Sequence, residues 1–307
     1  MKRPAPDPRG AKVCVMARKK RDIRNVEPTF KGWAVPGPLP DVARMMDFEP
    51  GEGESLDALS GHFRIFQLKK GHRFSTDDVL TAWYGSSWCP SAGTVLDLGS
   101  GVGSVGMTAA WRLRGARFVT VEAQEESVVL ARRSAAYNGL EDRYEIRQGD
   151  FRDPEVLAED ERFDLVLGSP PYWPLSDGTQ GDHPQKVACR FEVRGSVADY
   201  AEVAAAHLNP GGVFACVFPV DRPQQKVRPW EAAENADMTI VRWRPVIFRE
   251  GNPPLIGLFV MMRNVDLPEA VRGQTWEEPP LIIRDSDGEV HPEYRAVKMS
   301  FGFSPLG

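Results

Sequence analysis

The 307-residue sequence has few of the residues that build metal centres or disulfide frameworks. Its four cysteines are far apart, without a C-x-x-C pair, and its five histidines are equally scattered. This spacing indicates neither a zinc site nor a disulfide-stapled fold. No stretch approaches the roughly 18 apolar residues of a transmembrane helix, and the N-terminus lacks the apolar region of a secretory signal. We therefore expect a cytoplasmic protein without a metal and without a membrane partner.

An overall excess of positive charge is also missing, since the formal net charge is −5. That balance argues against a nucleic-acid partner, but the charge is distributed unevenly. Residues 1–31 carry ten basic and three acidic side chains, and such a tail gains affinity from phosphate contacts. A solubilising extension explains the tail equally well. We predict a basic, Pro/Gly-rich and flexible arm over residues 1–55 and one folded domain over residues 56–307.

From about residue 62 the sequence alternates between strand and helix patterns. Strands are predicted at 63–68, 94–99, 117–123, 144–149, 163–168, 212–219 and 255–262. Helices are predicted at 76–88, with Ser75 or Thr76 as N-cap, and at 103–114, 125–138 and 196–208, the last before the stop signal Asn209-Pro210-Gly211-Gly212. Strands that are apolar throughout and are followed by helices are typical of parallel sheets. We expect an α/β fold with a mostly parallel, seven-stranded twisted sheet and helices on both faces.

A glycine-rich segment follows the first strand of this alternation and directly precedes a helix pattern. Gly99, Gly101 and Gly103 let the backbone turn tightly there and let a ligand approach closely. Glu122 ends the next strand, where an acid that binds a ribose belongs. Nucleotide-dependent oxidoreductases share this glycine spacing. Asp97, just before the glycines, favours a methionine ammonium, because an acid at that point repels a pyrophosphate.

This pattern resembles motif I of Rossmann-like methyltransferases, and the resemblance implies S-adenosylmethionine as the cofactor. It also implies that Ala123 borders the cofactor, that Asp150 hydrogen-bonds the adenine amine and that Phe151 packs on the adenine ring. An Asp at a strand end equally suits the N-cap of a short helix. Both interpretations of Asp150 stay open at this point.

A second motif, from Ser169 to Trp173 (SPPYW), follows the strand at 163–168. Pro170 and Pro171 fix the backbone and remove two N–H groups, so that carbonyl oxygens remain as acceptors. Acceptors suit an amine substrate, because Ser169 and the Pro170 carbonyl can each take one N–H bond and direct the nitrogen lone pair. Tyr172 and Trp173 would stack on a base that is extruded or unpaired. The alternative is a rigid loop that closes the sheet.

The second motif resembles the [N/D/S]-P-P-[Y/F/W] motif of amino-methyltransferases. The segment 67–83 (QLKKGHRFSTDDVLTAW) and the segment 281–295 (LIIRDSDGEVHPEYR) are similar to the bacterial tRNA1(Val) (adenine-N6)-methyltransferase family. The resemblance covers about residues 60–295. It implies a class I (Rossmann-like) methyltransferase that makes N6-methyladenosine in RNA, with an anticodon-loop adenosine of a tRNA as target. It also implies that Thr76 and Asp77 lie at the cofactor pocket and that Arg190 contacts the substrate.

Ser169 departs from that family, which usually has Asn there, so the target base stays open. Guanine N2 in rRNA, adenine or cytosine in DNA, and glutamine in a protein are the alternatives. Two other classes are a nucleotide-dependent oxidoreductase, which leaves the second motif unexplained, and a cofactor-fold protein that binds RNA without catalysis. Five arginines between residues 228 and 263, called the late arginines below, indicate either an RNA-binding surface or solvated strand edges. They are Arg228, Arg242, Arg244, Arg249 and Arg263. We expect a monomer.

Overall fold

The computed structural model describes residues 49–174, 185, 191–193 and 195–303, and the backbone of residues 29–30 and 33–34. The strands are β1 (Thr29–Phe30), β2 (Trp33–Ala34), β3 (Glu54–Ser60), β4 (Phe63–Leu68), β5 (Thr94–Leu98), β6 (Arg117–Glu122), β7 (Tyr144–Gln148), β8 (Phe163–Gly168), β9 (Leu208–Pro219), β10 (Met238–Ile247), β11 (Ile256–Arg263), β12 (Trp276–Glu277) and β13 (Leu281–Ile282). The α-helices are α1 (Thr76–Trp88), α2 (Ser104–Arg112), α3 (Glu125–Tyr137), α4 (Val197–His207), α5 (Pro223–Asn235) and α6 (Pro292–Ser300).

A nine-stranded sheet lies at the centre of the fold, in the order β12-β10-β11-β9-β8-β5-β6-β7, with β13 also paired to β10. β9, β8, β5, β6 and β7 are parallel neighbours, whereas β11 runs antiparallel to both β9 and β10. β12 and β13 have two residues each, so seven long strands remain. The mostly parallel, seven-stranded sheet expected from the sequence is confirmed.

The strand order reverses beside β5, because the chain builds β6 and β7 on one side of it and returns to place β8 on the other. In open α/β sheets, such a reversal leaves a crevice outside the carboxyl ends of the strands, where ligands bind. The segments that follow β5 and β8 are the two motifs predicted to carry the chemistry. The topology therefore brings them to one edge of the sheet.

Helices cover both faces of the sheet, as expected. On one face, α1, α2 and α3 bury Leu80, Met107 and Leu130 in one apolar cluster, together with Phe63 of the β3–β4 hairpin. On the other face, α4 buries residues such as Ala204 in a second cluster with the phenylalanines of β9 and the alanines of α5. Burying apolar side chains on both faces is what confines a parallel sheet to the interior.

Helix α1 has the bounds that the sequence predicts. Ser75, rather than Thr76, is the N-cap: its hydroxyl accepts a hydrogen bond from the Asp77 N–H, and its own N–H donates to the Asp78 carboxylate at 2.8 Å. This reciprocal capping satisfies donors that a helix N-terminus otherwise leaves unpaired. The two acids of this first turn, Asp77 and Asp78, lie at the carboxyl edge of the sheet.

Most predicted bounds agree with the structure to within two residues, and two of the differences involve specific contacts. β9 begins at Leu208, so the stop signal Asn209–Gly212 lies in the strand, where Asn209 donates to the Asp164 carboxylate at 2.8 Å and the pairing with β8 shifts register. β3 begins at Glu54, inside the segment assigned to the arm; it pairs there with β4, and Arg133 of α3 binds the Glu54 carboxylate at 2.7 Å. Apart from β1, β2 and residues 49–55, the arm lies outside the described residues.

Within the part of the chain that the structure describes, no helix has the length and apolar character needed to cross a membrane. The same residues contain no group of three or more His, Cys, Asp or Glu side chains that could hold a metal ion.

Candidate active site

A cavity of about 590 Å³ lies outside the carboxyl ends of β5, β6 and β8. Its volume is in the range of small-molecule sites. The loop before α1, the glycine-rich segment and the second motif all line it. The predicted site residues in the lining are Asp77, Asp97, Gly99, Gly101, Glu122, Ala123, Asp150, Phe151, Ser169, Pro170, Pro171, Tyr172 and Trp173.

Asp97 lies at the end of β5 and is 1% exposed. Its Oδ2 accepts a hydrogen bond from the Gly106 N–H at 2.9 Å, whereas its Oδ1 is buried and has no partner among the described residues. Burial raises the pKa of this carboxyl to about 8, and the nearby charges of Asp78 and Glu122 act in the same direction. Buried polar atoms are normally hydrogen-bonded, so an unpartnered oxygen on a cavity wall indicates that a ligand donates to it.

Asp78 is a second buried acid in the cavity lining, and the sequence analysis did not select it. Burial raises its pKa to about 7. The hydrogen bond that its carboxylate accepts from the Ser75 N–H acts in the opposite direction and lowers the pKa. The capping pattern Ser75-x-x-Asp78 was the available signal, but it predicts a helix cap and not a cavity position. Asp78 and Asp97 together make this end of the cavity suited to a cation.

Glu122 is held at the end of β6 by two backbone donors. Its Oε2 accepts from the Gly101 N–H at 2.9 Å, and its Oε1 accepts from the Gln124 N–H at 2.6 Å. Each carboxylate oxygen has lone pairs for more than one hydrogen bond. The geometry therefore ties the acid of the second strand to the glycine turn, and a ribose hydroxyl can be bound at the same position.

All three glycines of the turn have left-handed backbone conformations, with φ of +60° at Gly99, +56° at Gly101 and +87° at Gly103. A Cβ added at Gly99 would lie 2.0 Å from the Tyr200 hydroxyl oxygen, whereas one added at Gly101 would meet nothing within 4 Å. Gly101 also lines the cavity. Gly99 is thus required by packing, and Gly101 leaves room beside the cavity.

Gly99→Ala and Gly101→Ala should therefore separate stability from ligand binding. We expect Gly99→Ala to lower the free energy of unfolding by about 3 kcal/mol, from backbone strain plus the Tyr200 clash. Gly101→Ala should lower it by about 1 kcal/mol, from strain alone, and should weaken cofactor binding. Urea unfolding and titration calorimetry measure the two effects. Equal stability losses in the two variants would contradict the assignment.

Asp150 and Phe151 follow β7 at the cavity wall. Asp150 accepts hydrogen bonds from the Arg152 backbone N–H at 3.0 Å and from the Arg152 guanidinium at 2.6 Å. The next residues form turns, so the short helix considered for this position does not form. Phe151 is buried, with its ring 4.7 Å from that of Tyr200 in an edge-to-face contact. Both residues line the cavity, and their predicted contacts with an adenine stay predictions.

The second motif forms a loop whose interior end is Tyr172. The Tyr172 hydroxyl donates to Asp77 Oδ2 at 2.7 Å, and its carbonyl accepts from the Gln225 side-chain amide at 2.9 Å. Burial and the charge of Asp77 raise the pKa of Tyr172 well above its ordinary value, so the hydroxyl remains a donor. The ring also packs edge-to-face on Phe218 at 5.9 Å. These contacts fix the ring beside Ser169.

Two of the predicted residues that the structure describes, Thr76 and Gly103, do not line the cavity. Thr76 is hydrogen-bonded to Tyr294 of α6 and does not line the cavity. Gly103 is the N-cap of α2, behind the wall. Arg190 lies outside the described residues, so its predicted contact with the substrate stays a prediction. Tyr200 and Gln225, which the sequence analysis missed, lie in helices whose pattern gives no sign of a site.

Most of the late arginines are engaged within the fold. Arg242 lies 3.6 Å over the Trp88 ring and 4.9 Å over the Trp276 ring, measured to the centroids. Three more of these arginines form ion pairs, which are Arg228–Glu192, Arg244–Glu293 and Arg263–Asp266. These arginines are therefore neither simply solvated nor a continuous free basic surface.

Comparison with known proteins shows which proteins this chain is similar to. A methyltransferase domain model matches residues 90–229. A tRNA1(Val) (adenine(37)-N6)-methyltransferase of Porphyromonas gingivalis is 32% identical over 167 residues, which cover 52% of this chain and 64% of that protein. An enzyme of the same name from Tolumonas auensis is 25% identical over 242 residues, which cover 78% of this chain and 93% of that protein. The chain thus spans slightly less than two thirds of the Porphyromonas relative.

Among solved structures, a predicted O-methyltransferase from Agrobacterium tumefaciens matches with a TM-score of 0.55 at 20% identity, over 75% of this chain and 98% of that chain. This likeness supports the fold alone. The sheet order, the glycine turn between Asp97 and Glu122 and the sequence relatives agree with one another. The chain has the class I, Rossmann-like methyltransferase fold, and the similarity to the tRNA1(Val) (adenine-N6)-methyltransferase family predicted from its sequence is confirmed.

Proposed function

We propose that the protein transfers a methyl group from S-adenosylmethionine to an exocyclic amino group, and that the target is adenine N6 in a tRNA. One observation carries the proposal: the unpartnered Asp97 Oδ1 and the loop Ser169–Tyr172 line the same cavity. A buried acid suits the cationic amino-acid part of the cofactor. An acceptor-rich, aromatic loop beside it suits an amine on a flat ring.

The lining residues fit the cofactor part by part. Asp97 and Asp78 would hold its ammonium group, and Glu122 would bind its ribose hydroxyls. Asp150 and Phe151 would take the adenine, by hydrogen bonding and by packing. When bound, S-adenosylmethionine supplies a methyl group activated by a positively charged sulfur.

The second motif supplies the contacts to the substrate. The Ser169 side chain and the Pro170 carbonyl accept the two N–H bonds of the target amine, which directs the nitrogen lone pair toward the methyl group. The Tyr172 ring holds the base at attack distance. Transfer of the methyl group from sulfur to the amine would leave the nitrogen cationic and its proton acidic. The proton can then leave to water, so the loop needs no general base.

The choice of adenine in tRNA rests on the relatives, which are named as tRNA1(Val) (adenine(37)-N6)-methyltransferases. The proposal includes action in the cytoplasm as a monomer. Ser169 offers one hydroxyl oxygen where the family usually has Asn, so the target atom has to be identified chemically.

The test is methyl transfer from labelled S-adenosylmethionine to separate pools of unmodified tRNA, rRNA, single- and double-stranded DNA, and release factor. Modified nucleosides and residues are identified by mass spectrometry. We expect N6-methyladenosine in tRNA, lost in Tyr172→Ala. Label in guanine N2, cytosine N4 or glutamine would overturn the adenine target and keep the amino-methyltransferase. Cofactor binding without any transfer would overturn the activity and favour a protein that binds RNA without catalysis.

A further inference from the structure

Trp173 is the last residue of the second motif. Both Tyr172 and Trp173 are half-buried and line the cavity, and the Tyr172 hydroxyl is held by Asp77. Arg222, which caps α5, places its guanidinium carbon 4.6 Å from the centroid of the Trp173 ring. The Arg222 side chain is 59% exposed. An aromatic and a cation therefore share one exposed position beside the site.

A buried polar network holds the backbone under Trp173. Gln225, 4% exposed, donates to the Tyr172 carbonyl at 2.9 Å and accepts from Arg228 at 3.1 Å. Arg228 also pairs with Glu192, whose N–H donates to the Trp173 carbonyl at 3.0 Å. The loop is thus clamped at two consecutive carbonyls, and the ring is pre-positioned before any ligand binds. Pre-positioning of this kind lowers the entropy cost of binding.

Arg222 is weakly engaged by comparison with the other arginines near the loop. Its contacts among the described residues are the Trp173 ring and the Asp221 carboxylate, at 3.9 Å. A guanidinium that stacks on an indole keeps the N–H groups of its edge for a planar or anionic acceptor, and phosphate matches that edge well. An aromatic face combined with a cation is the arrangement that binds single-stranded nucleic acid.

We propose that Trp173 and Arg222 form a subsite for the nucleotide next to the target base, in which the indole stacks on that nucleotide's base and the guanidinium binds its phosphate. This inference rests on the proposed RNA substrate and refines the role predicted for Trp173, from a second contact on the target to a contact on its neighbour. Tyr172 then serves the target base alone.

Binding of an unmodified tRNA transcript, followed by fluorescence anisotropy at several salt concentrations, tests the subsite. We expect Arg222→Ala to weaken binding about tenfold and to reduce the salt slope by about 1, because one phosphate contact is lost. Arg222→Lys should keep the slope. Trp173→Ala should weaken binding without changing the slope. Arg117→Ala removes an exposed charge at the opposite edge of the sheet and is the matched control.

The subsite is overturned if Arg222→Ala binds with the same affinity and slope as Arg117→Ala, or if the wild-type protein binds no RNA. Methyl transfer is measured separately on the same samples. Transfer to RNA that is indifferent to Arg222 would leave the proposed function and remove the subsite. Arg222-dependent RNA binding without transfer would support the subsite and overturn the proposed function.

Discussion

Asp97→Asn is expected to weaken S-adenosylmethionine binding strongly while leaving the unliganded fold intact. The amide can still accept the Gly106 N–H, but its NH₂ group takes the place of the buried Oδ1, which has no partner among the described residues. A donor there opposes an ammonium group, and removing one partner of a buried charge pair is strongly destabilising. We expect titration calorimetry to show affinity at least about a hundredfold weaker than in the wild type.

The same variant should change the pH dependence in a defined direction. The folded pKa of Asp97 is about 8, above the ordinary value of 3.8, so the folded protein holds a proton that the unfolded chain releases. The stability from this proton is complete below about pH 4 and is lost as the pH rises toward 8. Asn does not titrate. The unliganded Asp97→Asn variant should therefore be at least as stable as the wild type at pH 8.

Cofactor affinity should follow the opposite trend in the wild type. An ammonium group binds the ionised carboxyl, so affinity should rise between pH 6 and pH 8, and binding at pH 7 should release protons. Calorimetry in two buffers of different ionisation enthalpy measures that release. Asp142→Asn, at an exposed acid before β7, is the control and should behave as the wild type. Wild-type affinity in Asp97→Asn would contradict the assignment of Asp97.

Tyr172→Ala is expected to lower kcat by about a hundredfold or more with little change in cofactor affinity. The ring is the part of the loop that can hold a base at attack distance, and small misplacements of reacting groups have effects of that size. Tyr172→Phe keeps the ring and its contact with Phe218 but loses the hydrogen bond to Asp77. It should retain more activity than Tyr172→Ala. Single-turnover methyl transfer at saturating cofactor measures both.

A double-mutant cycle of Tyr172→Phe with Asp77→Asn shows whether the two side chains act together. If Asp77 acts by holding the Tyr172 hydroxyl, the two losses in kcat should not add. Additive losses, together with weaker cofactor binding in Asp77→Asn, would instead support the cofactor role predicted for Asp77. A normal kcat in Tyr172→Ala would contradict the role of the loop.

The residues of the cofactor and catalytic motifs were predictable because they follow strands whose apolar pattern is plain. Asp97 and Ser169 each come next to such a strand end, and parallel strands bring their carboxyl ends to one edge. Asp78 and Tyr200 were missed for a different reason. Each lies in a regular helix, and only the packing of that helix against the sheet brings its side chain to the cavity.

The sequence by itself determined the alternation of strands and helices from β4 to β9, the α1 boundaries, the two motifs and the similarity to the family. These features depend on residues that are close together in the chain, so they can be recognised from the sequence alone. Only the tertiary structure revealed α5, with Pro229 inside it, the sheet edge formed by β10, β12 and β13, and the clamp from Gln225 to Tyr172. Their partners lie tens of residues away in the chain. The sequence of α5 is too polar to predict a helix that packs on the core. Their stability comes from contacts that exist only once the sheet is assembled.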